Sequence, residues 1–264
     1  MTAVQPLPVP LVPGAPVGTP QFQILPAYYD SATKLLPVKG QSHVAMVTFG
    51  AGAIGVAEPR TAHGYLLEFE AHLDEVLKDK KHKRLSVEDF ATEVGAFFSK
   101  EWSAAGMPNP ILPPNQPLFF LVAGFDEGDT FGRIFQVCIP NDPKPVEQRP
   151  GRNFGIAWGG MADFLERLLN GMDPKTVPIV QSTLGLSDEQ MNKLRVALGT
   201  QLALPIPYQF LPLQDCINMA TFLVMTTSVI LDWVVGIRGV GGEIDVATIT
   251  REGLRFITER KLHP

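Results

Sequence analysis

Residues 118–139, Leu-Phe-Phe-Leu-Val-Ala-Gly-Phe-Asp-Glu-Gly-Asp-Thr-Phe-Gly-Arg-Ile-Phe-Gln-Val-Cys-Ile, hold two apolar runs around a short polar turn. From Leu118 to Phe125 no polar residue alternates with the apolar ones, so the run reads as a strand covered on both faces. Glu127-Gly128-Asp129 supplies the turn, and Gly132 to Ile139 returns as a second strand, closing a hairpin. A strand of this kind needs material above and below its sheet. The hairpin therefore predicts a layered fold.

Working outward, His43 to Phe49 reads as another buried strand, with a glycine-rich exit at Gly50-Ala51-Gly52-Ala53-Ile54-Gly55. Arg60 to Leu77 follows as a helix, because Tyr65, Leu66, Phe69, Leu73, Val76 and Leu77 recur at helical spacing. Ser86, with Asp89 three positions on, caps a second helix that runs to Trp102. Beyond the hairpin, Asn141 to Arg152 reads as loop, Asn153 to Ala157 as a short strand, and Trp158-Gly159-Gly160 as a turn into a helix at Met161 to Leu169. Ser187 and Gln190 frame a capping box for a helix to about Leu202. A long apolar helix spans roughly Leu213 to Val235, and the chain closes with strands at 244–250 and 254–257. Strands, two helices, strands, helices and strands in separate blocks predict a stacked arrangement, since a doubly wound sheet alternates strictly.

With 264 residues, 45% hydrophobic and 19% charged, the chain can fill a sizeable core. Its net charge of −5 argues against non-specific binding of nucleic acid, which needs a basic surface. Two cysteines, Cys138 and Cys216, fit a reducing cytoplasm better than a disulfide framework. The stretch Cys216 to Ile237 is long enough to span a bilayer. It nevertheless carries Asn218 and Asp232, and an acid is costly in lipid, so the expectation is a buried helix and no membrane. The five histidines show no metal-ligand spacing. Gly50, Gly52 and Gly55 have the spacing of a dinucleotide fingerprint, but the acid expected about 20 residues later would fall within a helix. A strand-to-helix turn accounts for them.

Several segments, taken in order, resemble the proteasome β-subunit family of N-terminal nucleophile hydrolases. Gly241-Gly242-Glu243-Ile244-Asp245-Val246-Ala247-Thr248-Ile249-Thr250 resembles that family's final sheet entry. Leu118 to Ile139 resembles its central hairpin, Asp30-Ser31-Ala32 its Asp-Ser element, and Lys34-Leu35-Leu36 the segment with its catalytic lysine. Trp158-Gly159-Gly160 stands where the family has a glycine-rich turn. The resemblance spans about Phe22 to Thr258 and implies an α+β fold, a four-layer αββα sandwich. The segment 1–21 is rich in proline and reads as an extended arm, and the resemblance implies a single domain over 22–264, with a helical insertion near 172–212.

What the resemblance implies chemically is hydrolysis of peptide or amide bonds by a first-residue hydroxyl, with the free α-amine as general base. Thr2 becomes that residue on removal of Met1, and Lys34 then follows at the distance found in the family. Asp30 would pair with Lys34, and Gly160 would supply a backbone N–H to the oxyanion. From the residues alone, Thr2 is equally an ordinary chain start, Lys34 a strand-edge lysine, Asp30 a turn acid and Gly160 a tight-turn glycine. Ile237 and Val240 stand where proteolytic members carry an Asp and a Ser, and Gly160 where they carry a Ser. A catalytically silent assembly relative is therefore the alternative. Either reading implies a cytoplasmic homo-oligomer without cofactor or metal, and leaves a partner unfoldase open.

Overall fold

A computed structural model describes residues 5–9, 23–27, 32–56, 58–78, 84–111, 116–234 and 240–258, the first two segments as backbone alone. In chain order the strands and helices are β1 (Gln5–Val9), β2 (Gln23–Ala27), β3 (Leu35–Pro37), β4 (Val44–Gly50), α1 (Leu66–Leu77), α2 (Val87–Ala104), β5 (Leu118–Phe125) and β6 (Gly132–Ile139). There follow β7 (Asp142–Glu147), α3 (Asp163–Asn170), α4 (Thr176–Leu184), α5 (Asp188–Leu202), α6 (Leu213–Trp233), β8 (Val246–Thr250) and β9 (Gly253–Thr258). The class is mixed α+β. Two compact units divide the chain, Met1–Asn153 with Gly236–Pro264, and Phe154–Val235.

The first unit is built on a five-stranded antiparallel sheet in the order β3-β4-β5-β6-β7. The hairpin read from residues 118–139 is its centre, with Leu121 opposite Gln136 and Leu118 opposite Ile139. Strand alternation sends Met46, Phe120, Val122, Val137 and Leu36 to one face, where all are buried. That face packs with Phe69 and Leu73 of α1 and with Phe90, Val94, Phe98 and Trp102 of α2 in a single core. Phe98 meets Phe120 with ring centroids 4.5 Å apart, and Phe69 lies edge-on to Phe90 at 5.7 Å. Each such ring contributes about 1.5–3 kcal/mol by burial alone.

Helix placement follows local chemistry. Ser86 Oγ accepts from Asp89 N at 3.0 Å to open α2, as the sequence predicts. At the same helix start, Asp126 Oδ1 accepts from Val87 N at 2.7 Å, tying α2 to the end of β5. Halfway along α2, a Cβ on Gly95 would lie 2.0 Å from the Pro143 carbonyl oxygen. Only glycine lets the helix approach β7 this closely.

The opposite face of the sheet is apolar too, with Ala45, Phe49 and Leu121 nearly or wholly buried. The hairpin β8–β9 comes against β5 and β4, and Leu254 N donates to Ser42 O at 2.8 Å to anchor it. Strands β1 and β2 pair antiparallel as a separate ribbon.

Two expectations need correction. Residues 142–147 are an edge strand where loop was expected, and 153–157 are irregular where a strand was expected. Pro143 and Pro145 suggested loop. An edge strand tolerates them, because one of its sides has no ladder to complete.

In the second unit α3 contacts α6 and α4 contacts α5, and α5 opens with the capping box of Ser187 and Gln190. Helix α6 forms where the sequence places it, but it is not a buried helix. Leu223 and Thr227 are its buried residues, whereas Phe222, Met225, Val229 and Trp233 are exposed. Apolar composition alone suggested burial, and of the helices of its unit α3, of eight residues, is the one packed against α6. By length and hydropathy α6 is the one helix among the described residues that could cross a membrane.

Candidate active site around Lys34

The turn after β3 folds the chain back so that Leu35 pairs with Val47, and Thr48 N donates to Lys34 O at 3.0 Å. Lys34 thus stands across from Thr48, and cross-strand partners share a face. Strand β4 ends at Gly50, whose φ is +83°. A Cβ there would lie 2.1 Å from the Pro117 carbonyl oxygen, so this exit from the strand requires glycine. The next residue, Ala51, donates its N–H to the same oxygen at 2.9 Å.

The chain then closes a short loop. Ile54 N and Arg60 N each donate to the other residue's carbonyl, at 2.8 and 2.9 Å, and the Ile54 side chain is fully buried. Gly55, with φ of +101°, sits within a Cβ clash of the Glu58 carbonyl. The glycine spacing in this stretch therefore serves loop closure, as read from sequence. At the loop's end Thr61 Oγ1 accepts from Gly64 N at 3.3 Å and caps a short turn of helix, Ala62–Tyr65.

Together these segments enclose a small recess of about 10 Å³, room for about one water molecule, open in part to solvent and lined by Lys34, Thr48, Thr61, Phe49 and Leu118 among others. Among the described residues that line it, Lys34 is the titratable one. Burial pushes the Lys34 amine down from 10.5 to about 8, because a desolvated ammonium is disfavoured. No carboxylate among the described residues offsets this. Across from it, Thr48 is 8% exposed, and its Oγ1 has no hydrogen-bond partner among the described residues. A buried donor left unmet is costly and uncommon. An amine with a lowered pKa, in a recess that Thr48 also lines, can stabilise a developing negative charge, or accept a proton, near neutral pH.

Of the residues proposed from sequence, Lys34 lies in this recess. Thr2 and Asp30 lie outside the described residues. Gly160 belongs to the second unit, where its φ of +85° turns the chain toward α3 and Trp158 Nε1 donates to Glu166 Oε1 at 2.9 Å. Val240 is buried at 8% exposure. Cys138 is a half-buried free thiol whose pKa burial pushes up. Thr48 was not anticipated, although the alternation Val44, Met46, Thr48 already put a hydroxyl on a core face.

Other polar clusters in the first unit serve packing. Arg133 binds Glu147 through Nε and Nη2 at 2.9 and 3.2 Å, Glu88 at 3.0 Å and Asp126 at 3.4 Å, joining β6, β7, α2 and the end of β5. His72 Nε2 and Glu93 Oε2, 2.8 Å apart, link α1 to α2. Among the described residues no group of three His, Cys, Asp or Glu side chains could hold a metal ion. No protein-family model matches the chain, and no curated protein is significantly similar to it.

Proposed function

We propose that this chain is an N-terminal nucleophile hydrolase of the proteasome-subunit type, cutting peptide or amide bonds. The observation that carries the reading is Lys34: a half-buried lysine with a depressed pKa, unpaired among the described residues, lining a recess beside a free hydroxyl. An apolar antiparallel sheet with a helix pair on one face and a strand hairpin against the other supports the four-layer αββα architecture.

In this reading removal of Met1 exposes the Thr2 amine. The amine takes the Thr2 hydroxyl proton as the oxygen attacks the amide carbonyl. Lys34 stabilises the negative charge that develops. Collapse of the intermediate breaks the C–N bond, the amine leaves with the transferred proton, and water hydrolyses the ester on Thr2. Neither cofactor nor metal enters. The apolar surface of α6 would be covered in a cytoplasmic homo-oligomer.

A second reading, a catalytically silent assembly or gating relative, is favoured by Val240. The side chain where the proteolytic members carry a hydroxyl is here buried hydrocarbon. Intact mass before and after an electrophile selective for N-terminal threonine decides between the two. The hydrolase reading expects loss of Met1 and one adduct on Thr2, absent from Lys34→Ala. Retained Met1 and an unlabelled chain would support the silent relative.

A further inference from the structure

We propose that Lys34 and Thr48 form a carboxylate-binding pair, in which the amine and the hydroxyl together hold one oxygen of a ligand's carboxylate group. On the hydrolase reading, on which this last step rests, the substrate is an amide that carries a free carboxylate near the bond to be cut. The anion site itself stands whether or not Thr2 is a nucleophile.

The argument begins with what the recess offers. Lys34 brings N–H donors and a positive charge, and Thr48 brings one O–H donor with no acceptor among the described residues. The other described residues that line the recess bring no negative charge. A half-buried cation and a buried donor lining one recess, neither with a partner among the described residues, call for an acceptor, and an anionic acceptor makes the stronger bond. Carboxylate fits better than phosphate, because the described walls are alanine, glycine, threonine, phenylalanine and leucine, with no second cation among the described residues. Phosphate recognition draws on several donors or a bidentate guanidinium. The cross-strand register holds Lys34 and Thr48 on one face, and both line the same recess.

The test uses the intact chain with sodium formate as the probe, against sodium chloride and sodium phosphate at equal ionic strength. Protection of Lys34 from acetic anhydride, read by peptide mass spectrometry, gives the affinity, and the rise in melting temperature gives it independently. Wild type should bind formate and lose affinity about tenfold per pH unit once the amine deprotonates. Thr48→Val should weaken formate about tenfold or more, as expected for a hydrogen bond to a charged group, and Thr48→Ser should restore it. Lys34→Met should show no formate-specific rise in melting temperature. Equal effects of chloride or phosphate, or equal formate binding in wild type and Thr48→Val, would overturn the proposal. A chain that binds formate as expected but takes no adduct on Thr2 keeps the anion site and loses the hydrolase reading.

Discussion

Replacing Lys34 by methionine should make the protein more stable at neutral pH while removing whatever the recess does. Burial lowers the amine from 10.5 to about 8. At about 1.36 kcal/mol per pH unit, keeping the ammonium in the folded chain costs about 3 kcal/mol. The side chain is half-buried, and the solvent that still reaches it reduces this to about 2 kcal/mol. The sign follows from the protons bound. Below about pH 8 both states carry the proton and the penalty is complete. Between there and 10.5 the unfolded chain holds the proton that the folded chain has released, so wild-type stability rises with pH. Above 10.5 the penalty is gone. Methionine matches the lysine stem in length and removes the charge, so Lys34→Met should gain about 2 kcal/mol at pH 7, or about 4–8 °C in Tm. That gain should shrink steadily from pH 8 to pH 10.5. Urea unfolding followed by far-UV circular dichroism at pH 7, 9 and 10.5 measures it. A variant less stable than wild type at pH 7, or a gap that ignores pH, would show that the amine is solvated or paired with an acid.

Three further outcomes follow from the packing of the first unit. Gly95→Ala drives a methyl to 2.0 Å from the Pro143 carbonyl oxygen, so α2 or β7 must move. Despite the better helix propensity of alanine, chemical denaturation should show a loss of about 1–3 kcal/mol, and a neutral result would refute the close approach. Arg133→Met leaves Glu147, Glu88 and Asp126 facing one another without their shared cation, and should destabilise by about 1–3 kcal/mol. Because carboxylate repulsion causes most of that loss, acid should narrow the gap to wild type, and a pH-independent gap would argue otherwise. His43 is 4% exposed and donates Nε2–H to Leu85 O at 2.8 Å, while burial pushes its pKa below 6.5. Its contribution is complete above the unfolded value and is lost as pH falls through the folded one. Acid titration of stability should therefore be flatter below pH 6.5 in His43→Gln than in wild type, and parallel curves would place the ring in solvent.

The hairpin of residues 118–139 and the helix at Ser86 were legible because each carries its own signal, an unbroken apolar run and a capping serine. Edge strand β7 was not, because its two prolines are a local signal for loop, and only the free edge beside β6 makes them acceptable. Exposure of α6 was hidden for the converse reason: apolar residues state a need for burial without saying what meets it. Lys34 was legible as a position and not as a state. Its lowered pKa depends on Thr48, Thr61 and Leu118, which arrive from three other places in the chain. Thr48 could have been found from strand alternation alone, since a hydroxyl on a core face must be bonded locally or kept for a ligand.

Whether Lys34 and Thr48 are one site or two neighbours can be settled without any ligand. Both are costs to the fold, a charge without a counter-charge and a hydroxyl without a partner among the described residues. If they share the recess, the hydroxyl dipole partly solvates the ammonium, so removing it leaves the charge worse off. Thr48→Val should then stabilise little, or even destabilise, while Lys34 is present. With Met at position 34 nothing remains for the hydroxyl to solvate, and the same change should stabilise by about 1 kcal/mol, the order of relief expected for an unmet buried group. The double-mutant cycle therefore predicts coupling of about 0.5–1 kcal/mol, as for residues in contact. Gains that add within about 0.3 kcal/mol, as independent sites do, would mean that the two groups do not sense each other. Lys34 would then act without Thr48, and a shared carboxylate would have no basis in the fold.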